Sequence, residues 1–77
     1  MYKERVKAKV MKLRQLASRK LESKYEPLRV FREIEKDPKC KEILRNSAAA
    51  TEEMVHNYNE HIRQSNLSDW QKKDLII

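Results

Sequence analysis

The sequence predicts an all-α fold, a small bundle of three to four short helices with room for a 3₁₀ turn after an Asp-Pro step. Three observations predict it. Glycine is absent and only two prolines occur, which removes the residues that tight β-turns, barrel corners and phosphate-cradling loops depend on. Apolar residues recur at spacings of three and four rather than two. Helix start and stop signals bracket each of those runs. Apolar and charged residues each make up 39% of the 77 residues, so the chain builds one domain around a small core and buries roughly 60% of its unfolded surface.

The longest helix covers 3–21. Val6, Val10, Leu13 and Ala17 follow one another at intervals of four, three and four, a single line on a helix turning about 100° per residue. Tyr2 and Leu16 lie on its margins, and Met11 falls outside it. Pro27 opens a second helix, since proline is tolerated in a first turn, and Leu28, Val30, Phe31 and Ile34 give that helix an apolar side. Asp37-Pro38 stops it, because the residue before a proline is pushed out of the α region. A short turn of 3₁₀ character then carries Cys40, Ile43 and Leu44.

A connection over 46–50 leads to Thr51, an N-cap residue followed by Glu52 and Glu53, where the helix dipole favours negative charge. Met54, Val55, Tyr58 and Ile62 line the inner face of this helix to about Gln64, and Ser65-Asn66 breaks it. Ser68 with Gln71 matches a capping box and starts a last short helix presenting Trp70 and Ile77, with Leu67 just before its cap. Trp70 is expected as a lid over the core, and Tyr25 and Phe31 as core residues. The whole of 1–77 reads as one helical domain in which 65–77 is a C-terminal extension.

Charge is distributed unevenly. Lys3, Arg5, Lys7, Lys9, Lys12, Arg14, Arg19, Lys20 and Lys24 stand against Glu4 and Glu22, so residues 1–24 carry +7 of a total of +6, with 25–46 at +1 and 47–77 at −2. Lys3, Lys7 and Arg14 flank the apolar line on one side, and Arg5, Lys9, Lys12 and Arg19 on the other. A helix that buries one line and offers two basic shoulders is an electrostatic docking surface. Arg5, Lys7, Lys9, Lys12, Arg14 and Arg19 are the candidate partner-binding residues. Their partner is an acidic or phosphorylated protein segment, with nucleic acid as the alternative. A solvated face that merely keeps the domain soluble is the plain reading of the same pattern. Aromatics that would stack on bases are missing from this helix, and Gln15 is its one amide over 3–21. A third alternative is a homo-oligomeric assembly subunit sealed by Met11, Ile76 and Ile77.

Catalysis has little to stand on. His56 and His61 are five residues apart, roughly 140° around a helix, and so cannot share a metal on one face. Glu52, His56 and Glu60 do share a face, a pattern that usually gives a solvated stripe. Neither a phosphate loop, a CxxC pair nor a nucleophile elbow occurs. The expectation is a protein that is not an enzyme and needs no cofactor and no metal. Cys40 is the only cysteine, which excludes an intramolecular disulfide and points to a reducing compartment, nucleus or cytoplasm. The basic N-terminal stretch lacks the apolar run of a secretory signal, and no segment has the apolar length of a membrane span.

Ile34, Asp37, Pro38 and Lys39, followed by Met54, Val55, Tyr58 and Ile62, resemble the FF domain, a small helical interaction module of transcription, splicing and signalling proteins. In that family a second helix runs into an Asp-Pro-basic-aromatic sequence, a 3₁₀ turn follows, and a third helix carries an apolar pair with a tyrosine three residues on. The resemblance covers residues 28–63. Pro27 stands where the family commonly has a tryptophan, Cys40 where it has the aromatic, and Val55 where it has phenylalanine. What the resemblance implies is three helices with a 3₁₀ turn, and binding of short acidic or phosphorylated partner segments.

Overall fold

A computed structural model describes residues 2–19 and 26–77. Within them the chain forms five α-helices and one 3₁₀ turn: α1 Tyr2–Ser18, α2 Glu26–Lys36, α3 Lys41–Arg45, the 3₁₀ turn Ser47–Ala49, α4 Glu52–Gln64 and α5 Asp69–Leu75. Among the described residues there is no strand. The all-α bundle is therefore observed, with four helices of seven residues or more and the shorter α3. The expected helix end at 20–21, the core role of Tyr25 and the charges of Lys20, Glu22 and Lys24 lie outside the described residues.

The local signals act as their chemistry dictates. Helix α2 ends at Lys36, one residue before the Asp-Pro step. Asp37 then organises the next turn: its carboxylate accepts the Lys39 N–H at 2.9 Å, and its carbonyl accepts from the Cys40 and Lys41 N–H groups at 3.1 and 2.8 Å. Thr51 caps α4 by accepting the Met54 N–H at 3.3 Å. At α5 the Gln71 side chain accepts from the Ser68 N–H at 3.3 Å and the Ser68 hydroxyl at 3.1 Å, the Gln71 half of a capping box.

One segment differs from expectation. The stretch after Cys40 is a short α-helix, and the 3₁₀ turn lies later, at Ser47–Ala49. The Asn46 N–H bonds to the Glu42 carbonyl at 2.8 Å, an α-type step, whereas the Ala49 and Ala50 N–H groups reach back only three residues, to Asn46 and Ser47. No residue among those described has a positive φ. The caps at Asn46, Ser65 and Ile76 leave their helices in extended backbone instead.

Helix α1 is the strut, touching α2, α3, the 3₁₀ turn and α5. Its line of Val6, Val10, Leu13 and Ala17 is buried, and the first three meet Val30 and Ile34 of α2, Ile43 and Leu44 of α3, and Leu75 of α5 in one core that also takes Cys40, Val55, Tyr58, Ile62 and Leu67. Leu67 and Leu75 are the residues of 65–77 buried in this core. Ile76 and Ile77, expected on the outside, pack against it. Phe31 is half-buried against it, whereas Trp70 is 68% exposed and closes nothing. Trp70 lies five residues from Leu75, roughly 140° around the helix, so burying one turns the other to solvent. Met11 is exposed on the outer face of α1.

Two polar groups sit in this core. Asn59 is buried and pairs with Ile77 as one peptide pairs with another. Its Oδ1 accepts the Ile77 N–H at 2.9 Å and its Nδ2 donates to the Ile77 carbonyl at 3.3 Å. The Tyr58 hydroxyl is fully buried with no hydrogen-bond partner among the described residues, and burial pushes its pKa up. Asn59→Ala should cost about 1–3 kcal/mol in a urea melt and expose the Ile77 amide to exchange; unchanged exchange there would show that the pair does not anchor the chain. Tyr58→Phe should be neutral or about 1 kcal/mol stabilising. A clear loss of stability in that variant would mean the hydroxyl is satisfied in solution.

Candidate functional site

The two basic shoulders of α1 have different surroundings. On one, the Lys9 ammonium donates to the Asp74 carbonyl at 2.6 Å, and the Lys12 ammonium pairs with the Asp74 carboxylate at 2.9 Å. Asp74 sits in the last turn of α5, where orphan carbonyls carry the negative end of the helix dipole. Two candidate partner-binding lysines therefore hold α5 against α1. The Lys12 ammonium beside the Asp74 carboxyl keeps it below its ordinary range. Arg5, Lys7, Arg14 and Arg19 are exposed, and none forms an ion pair with another described residue.

Arg14 borders a cleft of about 220 Å³ where α1, α2 and α3 meet, lined also by Phe31, Glu35, Lys41, Leu44 and Arg45. Three cations face one carboxylate over a floor built from Phe31 and Leu44. Two of those cations come from α3, outside the helix that sequence reasoning singled out. They were missed because Lys41 and Arg45 read simply as the polar side of a short turn. Arg19 and Lys12 border a second hollow of about 170 Å³ between α1 and α5, with Leu16, Gln15, Trp70, Gln71 and Asp74. An aromatic and a second amide are thus delivered to the basic helix by α5. Arg5 and Lys7 line neither hollow.

A third group of side chains was not foreseen. His61 of α4 places Nε2 2.9 Å from Asp37 Oδ2 and Nδ1 3.9 Å from Glu33 Oε2. Asp37, Cys40 and His61 bring their ligand-type atoms within 4.8 Å of one another. The hydrogen bond from His61 is the largest influence holding the Asp37 carboxyl below its usual range. Cys40 is fully buried, and desolvation, reinforced by the Asp37 charge, pushes its thiol up to about 12. Such a thiol is protonated at neutral pH and is a poor nucleophile. By contrast, His56 is exposed on the other side of α4.

Among the described residues, no helix is long and apolar enough to cross a membrane. No protein-family model, curated protein or solved structure matches the chain.

The Asp74 contact has a signed pH consequence. A carboxyl whose folded pKa is depressed adds stability above its unfolded value, near 3.8, and that stability is lost as pH falls through the folded value. Below about pH 4 the wild type should lose the Lys12–Asp74 ion pair while keeping the Lys9 bond to the Asp74 carbonyl, seen as weakened protection of the Leu75 amide. Asp74→Asn should show weak protection already at neutral pH and little further change on acidification. If wild type and variant titrate alike in this window, Asp74 does not hold the helix.

Proposed function

We propose that this chain is a non-catalytic interaction domain that binds an acidic or phosphorylated protein segment. The observation that carries the reading is the convergence of Arg14, Lys41 and Arg45 on one cleft with a Phe31–Leu44 floor. Guanidinium groups meet phosphate or carboxylate oxygens in bidentate fashion, and the apolar floor gives a neighbouring side chain of the segment a place to desolvate. Arg14 belongs to the candidate set on α1. Arg5 and Lys7 lie outside the cleft and supply the wider field that draws an anion in. The similarity of residues 28–63 to the FF domain supports the same partner class, and with it a role in transcription, RNA processing or signalling.

A second reading has its own observation. Trp70 is 68% exposed beside Arg19, Gln15 and Gln71 in the α1–α5 hollow, and an exposed aromatic among cations and amides suits an unstacked base of single-stranded nucleic acid. The two surfaces lie on opposite shoulders of α1, and Trp70 is the only tryptophan, so its fluorescence tells them apart.

A labelled acidic peptide, with and without one phosphoserine, and an oligo-dT strand should be titrated against the protein at low and physiological salt. The phosphopeptide should bind with little change in Trp70 emission and weaken steeply with salt. The Arg14→Ala, Lys41→Ala, Arg45→Ala triple variant should bind it about tenfold or more weakly, each exposed contact contributing about 0.2–1 kcal/mol and the charged hydrogen bonds more. A Lys73→Ala control should bind like wild type. Equal affinity of the triple variant and wild type overturns the cleft reading; quenching of Trp70 by oligo-dT at physiological salt would put the nucleic-acid reading in its place.

A further inference from the structure

We propose that Asp37, Cys40 and His61 form a mononuclear site for a zinc-type divalent cation, joining the turn after α2, the N-cap of α3 and the last turn of α4. One turn supplies Asp37 and Cys40, and α4 supplies His61, 24 positions from Asp37, giving one oxygen, one sulfur and one nitrogen, a donor set suited to a borderline-soft ion. Their atoms lie within 4.8 Å of one another, with His61 Nε2 and Asp37 Oδ2 at 2.9 Å. Tetrahedral zinc would hold N and O donors about 3.3 Å apart and either of them about 3.5 Å from sulfur, given its usual bond lengths. The His61–Asp37 pair has to open slightly and the widest pair to close by about 1 Å, adjustments on the scale of a side-chain torsion.

The surroundings are those of a ligand set. Glu33 lies one turn before Asp37 on α2, with its carboxylate 3.9 Å from the other ring nitrogen of His61. At that distance Glu33 is not hydrogen-bonded to the ring, and a closer approach would let its carboxylate take the Nδ1 proton contact that orients a metal-bound imidazole. Asp37 is already oriented by the Lys39 N–H. Cys40 is buried beneath, while the side chains of His61 and Asp37 keep 23% and 24% of their exposure and open a path from solvent. The buried Cys40 sulfur lies within 4.8 Å of an Asp37 carboxylate oxygen, and a cation entering between them takes the place of the thiol proton. The thiol proton leaves to solvent and the His61 Nε2 proton passes to Nδ1, so that the thiolate, Nε2 of the neutral imidazole and the carboxylate each donate an electron pair, and water completes the tetrahedron. Binding therefore releases a proton and tightens as pH rises. The Glu52, His56 and Glu60 stripe has no part in this site.

Cobalt(II) is the direct probe, added to the reduced full chain under anaerobic conditions. The wild type should give the near-ultraviolet thiolate-to-cobalt charge-transfer band with the intense visible bands of a tetrahedral ion, at one equivalent per chain, and zinc should displace them. Cys40→Ala should lose the charge-transfer band. Because Cys40 is buried and that variant can fail to fold, Asp37→Asn and His61→Ala carry the test independently, with folding verified by circular dichroism. Loss of a neighbour that only orients a ligand costs about 10–100-fold in affinity, so each of these should bind cobalt at least tenfold more weakly, and zinc should raise the melting temperature of wild type but not of His61→Ala. Absence of the charge-transfer band at a tenfold molar excess of cobalt overturns the site. So does a band that persists with unchanged affinity in folded Asp37→Asn and His61→Ala.

Discussion

A helix crowded with cations serves as the central strut of this domain, and it can do so only because its apolar residues fall in one narrow line. Val6, Val10, Leu13 and Ala17 are all buried, and four other elements close on that line. A small domain gives each such residue a large share of the total stability. Leu13 is fully buried where α1 meets its neighbours, and truncating a residue of that kind costs on the order of 2–5 kcal/mol, much of what a domain this size has to lose. The line leaves no room for charge, so every lysine and arginine of α1 stands on its shoulders or its outer face.

Where those charges stand decides what they do. Lys9 and Lys12 meet the C-terminal turn of α5, which has orphan carbonyls and the Asp74 carboxylate to offer. Part of the basic surplus is thereby spent inside the fold, and the last helix, only seven residues long, is fixed by electrostatics as well as by Leu75. What remains is divided between two hollows of different chemistry, one setting three cations and Glu35 over an apolar floor and one carrying an exposed indole. A uniform basic helix has thus become two distinct surfaces because different neighbours complete each side.

Local features were legible in the sequence, and tertiary pairings were not. The Asp-Pro stop, the Thr51 cap, the Ser68–Gln71 pair and the buried line of α1 depend on residues within a few positions of one another, and each has its expected role. Asp74 lies 62 residues from Lys12, and His61 lies 24 from Asp37; no periodicity encodes such partners. A 3₁₀ turn was expected through Cys40, Ile43 and Leu44 where a short α-helix stands, and the 3₁₀ turn falls in the expected connection at Ser47–Ala49, because one hydrogen bond more or less separates the two, a choice made by packing. Trp70 was assigned to the interior from its size, although its offset from Leu75 already placed the two on different sides of one helix. Half of the candidate cleft was missed for a related reason: Lys41 and Arg45 acquire meaning only when α3 docks beside Arg14.

The backbone itself has an unusual property as an experimental object. Without glycine anywhere in the chain, and with every described residue at negative φ, the helices end in extended backbone rather than in the left-handed turn that commonly demands glycine. Replacing any of these residues with alanine removes a side chain without forcing a conformation that alanine resists. A complete alanine scan of this domain would therefore read side-chain energetics almost free of backbone strain, a separation that most natural domains, punctuated by obligatory glycines, do not permit.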